Sequence, residues 1–68
     1  MIIYVVYDTT TTDHPGKYVI RRFHGDRPER DPWTVTADYR QAIKTIPAGL
    51  VRIPRYQNDD PVILETWI

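Results

Sequence analysis

Two stretches of the chain carry apolar residues at successive positions, where most strands alternate. In Ile2-Ile3-Tyr4-Val5-Val6-Tyr7, strand geometry sets Ile2, Tyr4 and Val6 on one face and Ile3, Val5 and Tyr7 on the other. Pro61-Val62-Ile63-Leu64-Glu65-Thr66-Trp67-Ile68 is similar, with Val62, Leu64 and Ile68 on one face and Ile63, Glu65 and Trp67 on the other. A strand that is apolar on both faces belongs inside a sheet with each face covered. The alternation directs Val62, Leu64 and Ile68 towards a helix and leaves Ile63, Glu65 and Trp67 on the open side. In the opposite register Glu65 faces the helix and needs a partner there, an arginine being the natural one.

Lys17–His24 reads as a second strand. Lys17, Val19, Arg21 and Phe23 share one face; Tyr18, Ile20, Arg22 and His24 share the other. Neither face is cleanly apolar, which is the pattern of an edge strand protected by charge. Tyr39, Ala42, Ile43 and Ile46 recur at the spacing of one helical face and predict a helix over 37–46. Thr36 suits its N-cap, Asp38 its first turn and Lys44 its last. Pro47 and Gly49 end it. Leu50–Ile53 is a short third strand limited by Pro54.

The connections follow from turn chemistry. Asp8–Gly16 is a long hairpin loop, with Pro15-Gly16 suited to the centre of a type II turn. Gly25–Pro32 is a charged loop with two prolines, Trp33-Thr34-Val35 is a short extended piece leading into the helix, and Trp33 anchors the start of the helix in the core. The expected fold is a single α+β domain over residues 1–68 with element order ββαββ. One four-stranded sheet in the order 2-1-4-3, counted along the chain, carries one helix on one face.

Sixty-eight residues build only a small core, and with no cysteine no disulfide or thiolate metal site supports it. Self-association is the expected remedy. The lack of cysteine fits a reducing compartment, and the expected location is the cytoplasm. The apolar first segment has no basic residues before it and is too short for a membrane span. Net charge is zero, with a mildly basic middle and acidic ends, a thin electrostatic footprint for a nucleic-acid binder.

Candidate chemistry is sparse. Asp8, Asp13, His14 and His24 have no metal-ligand spacing, and turn chemistry accounts for the aspartates. There is no serine, no cysteine and no glycine-rich phosphate loop, and a domain this small has little room for a pocket of about 300 Å³ or more. The protein is therefore not expected to be an enzyme. No cofactor, metal, membrane or small-molecule substrate is expected.

Two binding readings remain. In the first, the helix-free sheet face takes another protein or a second copy as a homodimer, through Tyr4, Tyr18, Arg22, Ile63, Glu65 and Trp67. In the second, Tyr4, Tyr18 and Trp67 stack the bases of a single-stranded nucleic acid while Arg21 and Arg22 hold its phosphates. The plain alternative pairs Arg21 or Arg22 with Glu65 across strands and places the aromatics in the core.

At Asp13-His14-Pro15-Gly16-Lys17-Tyr18-Val19-Ile20-Arg21-Arg22 the chain resembles short uncharacterised open reading frames of proteobacteria and their prophages. Ile53-Pro54-Arg55, followed by Asp59-Asp60-Pro61-Val62-Ile63-Leu64-Glu65-Thr66-Trp67, is similar to their C-terminal pattern. The resemblance implies a bacterial or phage accessory protein and carries no activity with it.

Overall fold

A computed structural model describes all 68 residues. Its strands are β1 (Ile2–Tyr7), β2 (Tyr18–His24), β3 (Arg27–Pro28), β4 (Thr34–Thr36), β5 (Arg52–Pro54) and β6 (Ile63–Trp67). One helix, α1 (Tyr39–Lys44), lies between β4 and β5. The α+β class holds, but the sheet has six strands where four were expected. Its order is β3-β2-β1-β6-β5, and β4 also pairs with β2.

The two additional strands both lie along β2, so β2 is not the edge that its mixed faces indicated. The cause is local. Gly25 sits at φ +63° in a two-residue turn, and the chain doubles back to pair Phe23 with Pro28 and His24 with Arg27. It then continues beside β2, with Glu29 N–H donating to Arg22 and Trp33 N–H donating to Ile20. Tyr18, Val19 and Ile20 pair with Thr36, Val35 and Thr34 in turn.

That pairing also moves the start of the helix. Thr36 ends β4, so the cap falls to Asp38, whose carboxylate accepts from Arg40 N–H at 2.9 Å and Gln41 N–H at 3.4 Å. Thr36 Oγ1 in turn accepts from Asp38 N–H at 3.3 Å. The helix is six residues long rather than ten, and its exit tightens through Thr45 N–H to Ala42 O and Ile46 N–H to Ile43 O. The β1–β2 loop closes as its sequence indicates: Gly16 has φ +80°, and Lys17 N–H donates to His14 O at 3.2 Å.

The core lies between sheet and helix. Tyr4, Val6, Ile20, Ala42 and Ile46 are its buried members, with Tyr18, Trp33, Tyr39, Ile43, Leu50, Leu64 and Trp67 packed around them. A helix this short spans about 9 Å, so aromatic side chains extend the cover. Trp33 meets Tyr4 edge to face at 5.3 Å and donates its indole N–H to Thr45 O at 3.1 Å. It therefore anchors the end of the helix rather than its start.

Between β1 and β6 the register shifts. Val6 faces Glu65 and Tyr7 faces Ile63, which leaves Leu64 as the extra residue of a β-bulge. The bulge lets Leu64 join the core while Glu65 and Trp67 face the same layer. Strict alternation put Ile63, Glu65 and Trp67 together on the open face; pairing with Val6 and Tyr4 turns Glu65 and Trp67 to the helix layer, and the extra residue leaves only Ile63 outside.

Candidate interaction face

The protein presents three arrangements of functional side chains: a buried carboxylate, a bridging glutamate and the helix-free face of the sheet. The first belongs to the fold. Glu65 is 2% exposed. Its Oε1 accepts from Arg52 Nε at 2.8 Å. Its Oε2 accepts from the Tyr39 hydroxyl at 2.6 Å and the Trp67 indole N–H at 2.7 Å. Burial alone raises a carboxyl pKa, but the bonds from Tyr39, Arg52 and Trp67 outweigh it, and the Glu65 carboxyl is held below its ordinary range. Burial, and then the bond to Glu65, push the Tyr39 hydroxyl up. Each strong donor in reach is used, so the carboxylate ties α1 and β5 to β6.

Glu29 does comparable work outside the core. Its Oε2 accepts from Arg22 Nε at 2.7 Å and lies 2.7 Å from His24 Nε2. These bonds, Arg22 first, hold the Glu29 carboxyl below its ordinary range. The Arg22 guanidinium also stacks 4.6 Å from the centre of the Trp33 ring. This cluster fastens the doubled-back segment to β2.

The helix-free face is different. The register places Ile3, Val5 and Tyr7 of β1 beside Phe23, Arg21 and Val19 of β2 on this side. Ile63 and Thr66 of β6 and Ile53 of β5 continue it one way, and Val35 of β4 the other. Val51 and Ile68 exchange backbone hydrogen bonds beyond Arg52 and extend it further. No helix packs here. Val35 and Val51, at the two sides, are 39% and 64% exposed.

One charged side chain, Arg21, rises from the strands of this face, and its guanidinium reaches Asp13 at 3.3 Å. Asp13 belongs to the threonine-rich loop, which folds over the Tyr7 end of the face. There Tyr7, Val19, Arg21 and Val62 form an open cleft of about 320 Å³ with Thr10–Asp13 and Asp60. The cleft is larger than the length of the chain led us to expect. Burial raises the Tyr7 hydroxyl, Arg21 opposes this, and Asp60 adds to it.

Of the six residues expected to form the interaction surface, only Ile63 lies on this face. Tyr4 and Glu65 are buried beneath the helix layer. Tyr18 and Trp67 pack around the core, and Arg22 is opposite Tyr4 on that side. The nucleic-acid reading relied on Tyr4, Tyr18 and Trp67 and loses its stacking set with them. Of the four metal-ligand candidates only Asp13 and His14 come together, with Asp13 Oδ2 3.6 Å from His14 Nδ1; Asp8 accepts from Thr10 N–H at 2.9 Å, Asp13 also holds Arg21, and His24 sits on Glu29. The alternation groups Ile3, Val5 and Tyr7 on one face and Phe23 with Val19 and Arg21 on another without assigning either to the open side, and it does not single out Ile53. The signal for the first three is the second apolar face of the first strand.

No family model matches the chain, and no curated protein or solved structure is significantly similar to it.

Proposed function

We propose that the protein is a binding module, a bacterial or phage accessory protein that works in the cytoplasm by holding a protein partner on its helix-free sheet face. One observation carries the reading: a contiguous apolar surface crosses five strand positions, and the single charge that rises from its strands, Arg21, is matched by Asp13. Faces of this kind are seldom left in water on monomeric proteins. Its aromatic and arginine content, Tyr7, Phe23 and Arg21, matches the usual composition of protein interfaces.

The sheet edges favour the face over strand addition as the mode of contact. β5 has three residues and ends at Pro54; on the other side β3 has two and ends at Pro28, and β4 has three. Short, proline-bearing edges are poor templates for a further strand. A nucleic acid is poorly served here, because affinity for phosphates needs unpaired cations and this face offers none.

The reading is tested with a hydrophobic dye such as anilinonaphthalene sulfonate, at a concentration where the chain is monomeric. The wild type is expected to bind dye, and Val5→Lys with Ile63→Lys to lose most of that binding with an unchanged circular dichroism spectrum. Absent binding, or binding indifferent to these changes, overturns the reading.

A further inference from the structure

We infer that the partner on this face is a second copy of the same chain, packed face to face in a two-layer β-sandwich with the helices outermost. The inference rests on the binding-face reading and supplies its occupant. Three observations select it.

The first is electrostatic. The centre of the face carries no unmatched charge: Arg21 is met by Asp13 within one chain, Asp60 stands at the rim beside Tyr7, and the whole chain has zero net charge. A neutral apolar face has no preference for a charged partner. It is complementary to its own copy, since a two-fold contact places the same patch on both sides. Nothing in the summed charge opposes the approach of two copies.

The second is area. Five strands at about 4.8 Å spacing, with the longest rising about 20 Å, give a plan area of roughly 400–500 Å² per copy. Side-chain relief raises the accessible area above that. Two such faces reach the lower end of specific interfaces, about 1,200 Å² in total. The contact is large enough for a dimer that assembles reversibly and too small for one that never dissociates.

The third is the core itself. Seven of 68 residues are buried, and only one of them, Val19, lies on the open side. Closing the second face gives each chain the other half of a sandwich core, the usual arrangement when two sheets pack about 10 Å apart. β1 is the middle strand of the five, and Val5 is near the middle of its open side. In a two-fold dimer Val5 therefore lies near the axis and meets its counterpart or a near neighbour in the other copy.

Light scattering and isotope-filtered spectroscopy decide this. From about 10 µM to 1 mM, the range in which an interface this small is expected to assemble, the solution mass should rise from one chain to two and stop there. A mixture of labelled and unlabelled chains should show intermolecular contacts from the Val5 methyls to Val5, Ile3 or Ile63. Val5→Lys should hold the mass at one chain. Should that variant not fold, Val51→Lys, at a site already 64% exposed, should fold and raise the dissociation constant several-fold. Tyr56→Lys, on an exposed turn, should leave it unchanged. A single-chain mass at 1 mM overturns the inference, as does growth beyond two chains or a dimer whose intermolecular contacts avoid Val5. A chain that stays single at 1 mM yet binds dye through this face leaves the binding-face reading standing and removes only the second copy.

Discussion

Glu65 shows how one residue can be read correctly in chemistry and wrongly in place. A glutamate in an apolar strand must either face water or be paired, and the second outcome is found, with Arg52 as the cation and Tyr39 and Trp67 completing the shell. The sequence shows the need for a partner; it does not show the bulge that lets Glu65 face inward beside Val6 while Leu64 also stays in the core. Glu65→Gln removes the charge that Arg52 meets and sets an amide N–H against at least one of the three donors; it should cost about 2–3 kcal/mol, from the usual worth of bonds to a buried charge, read as a lower urea midpoint. Tyr39→Phe removes one of those bonds and should cost about 1–2 kcal/mol. The pH dependence has a definite sign. The folded carboxyl has a lowered pKa, so below the ordinary glutamate value of about 4.3 the unfolded chain binds more protons and acid favours unfolding. Stability should be fully present above that value and fall as pH drops through the folded one, and Glu65→Gln should flatten this slope. Thermal melts between pH 6 and pH 2.5 would show it; an equal slope in both proteins would refute the assignment.

At the scale of elements, long runs were legible and short ones were not. β1, β2 and β6 each carry enough β-branched and aromatic residues to declare themselves. β3 escaped because Pro28 and a run of charges mask it, although Gly25-Asp26 is itself a two-residue hairpin signal. Trp33-Thr34-Val35 reads as extended, but nothing in it announces a pairing with β2 that runs on through Thr36, and that displaced the helix start, because Thr36 suits a cap equally well while the backbone is committed to β2. Asp38→Ala should therefore destabilise the fold by about 1 kcal/mol, the usual worth of an N-cap, and Thr36→Ala by less, since Thr36 accepts only from Asp38 N–H at 3.3 Å. Denaturant melts of the two variants distinguish the caps: equal losses, or a larger one at Thr36, would return the cap to Thr36. The bulge at Leu64 has the same character. A single extra residue decides which side chains reach the core, and no periodicity in the strand announces it.

For the whole molecule, the imbalance between one helix and two apolar sheet faces is the feature the chain must resolve. The sequence made the imbalance visible but assigned the wrong residues to the open side, because aromatic size drew Tyr4, Tyr18 and Trp67 to the surface while the helix layer needed them. With six residues in the helix, those rings are the cover for the first face. The second face is left to Ile3, Val5, Phe23, Ile53 and Ile63, which are aliphatic but for one ring. If a second copy covers them, folding and association are linked, and stability depends on concentration as RT ln(1 + [L]/Kd) for the partner. The melting temperature should then rise by several degrees between about 10 µM and 1 mM, because a small domain gains roughly 4–8 °C per kcal/mol. Val51→Lys, at a site already 64% exposed, should reduce that rise while leaving the dilute melting temperature close to its original value. An interface of neutral, apolar groups should also be indifferent to sodium chloride and strengthened by sulfate, which favours burial of apolar surface. Melts that depend on concentration but weaken steeply with sodium chloride would point to charged contacts elsewhere on the surface and remove the sheet face from consideration.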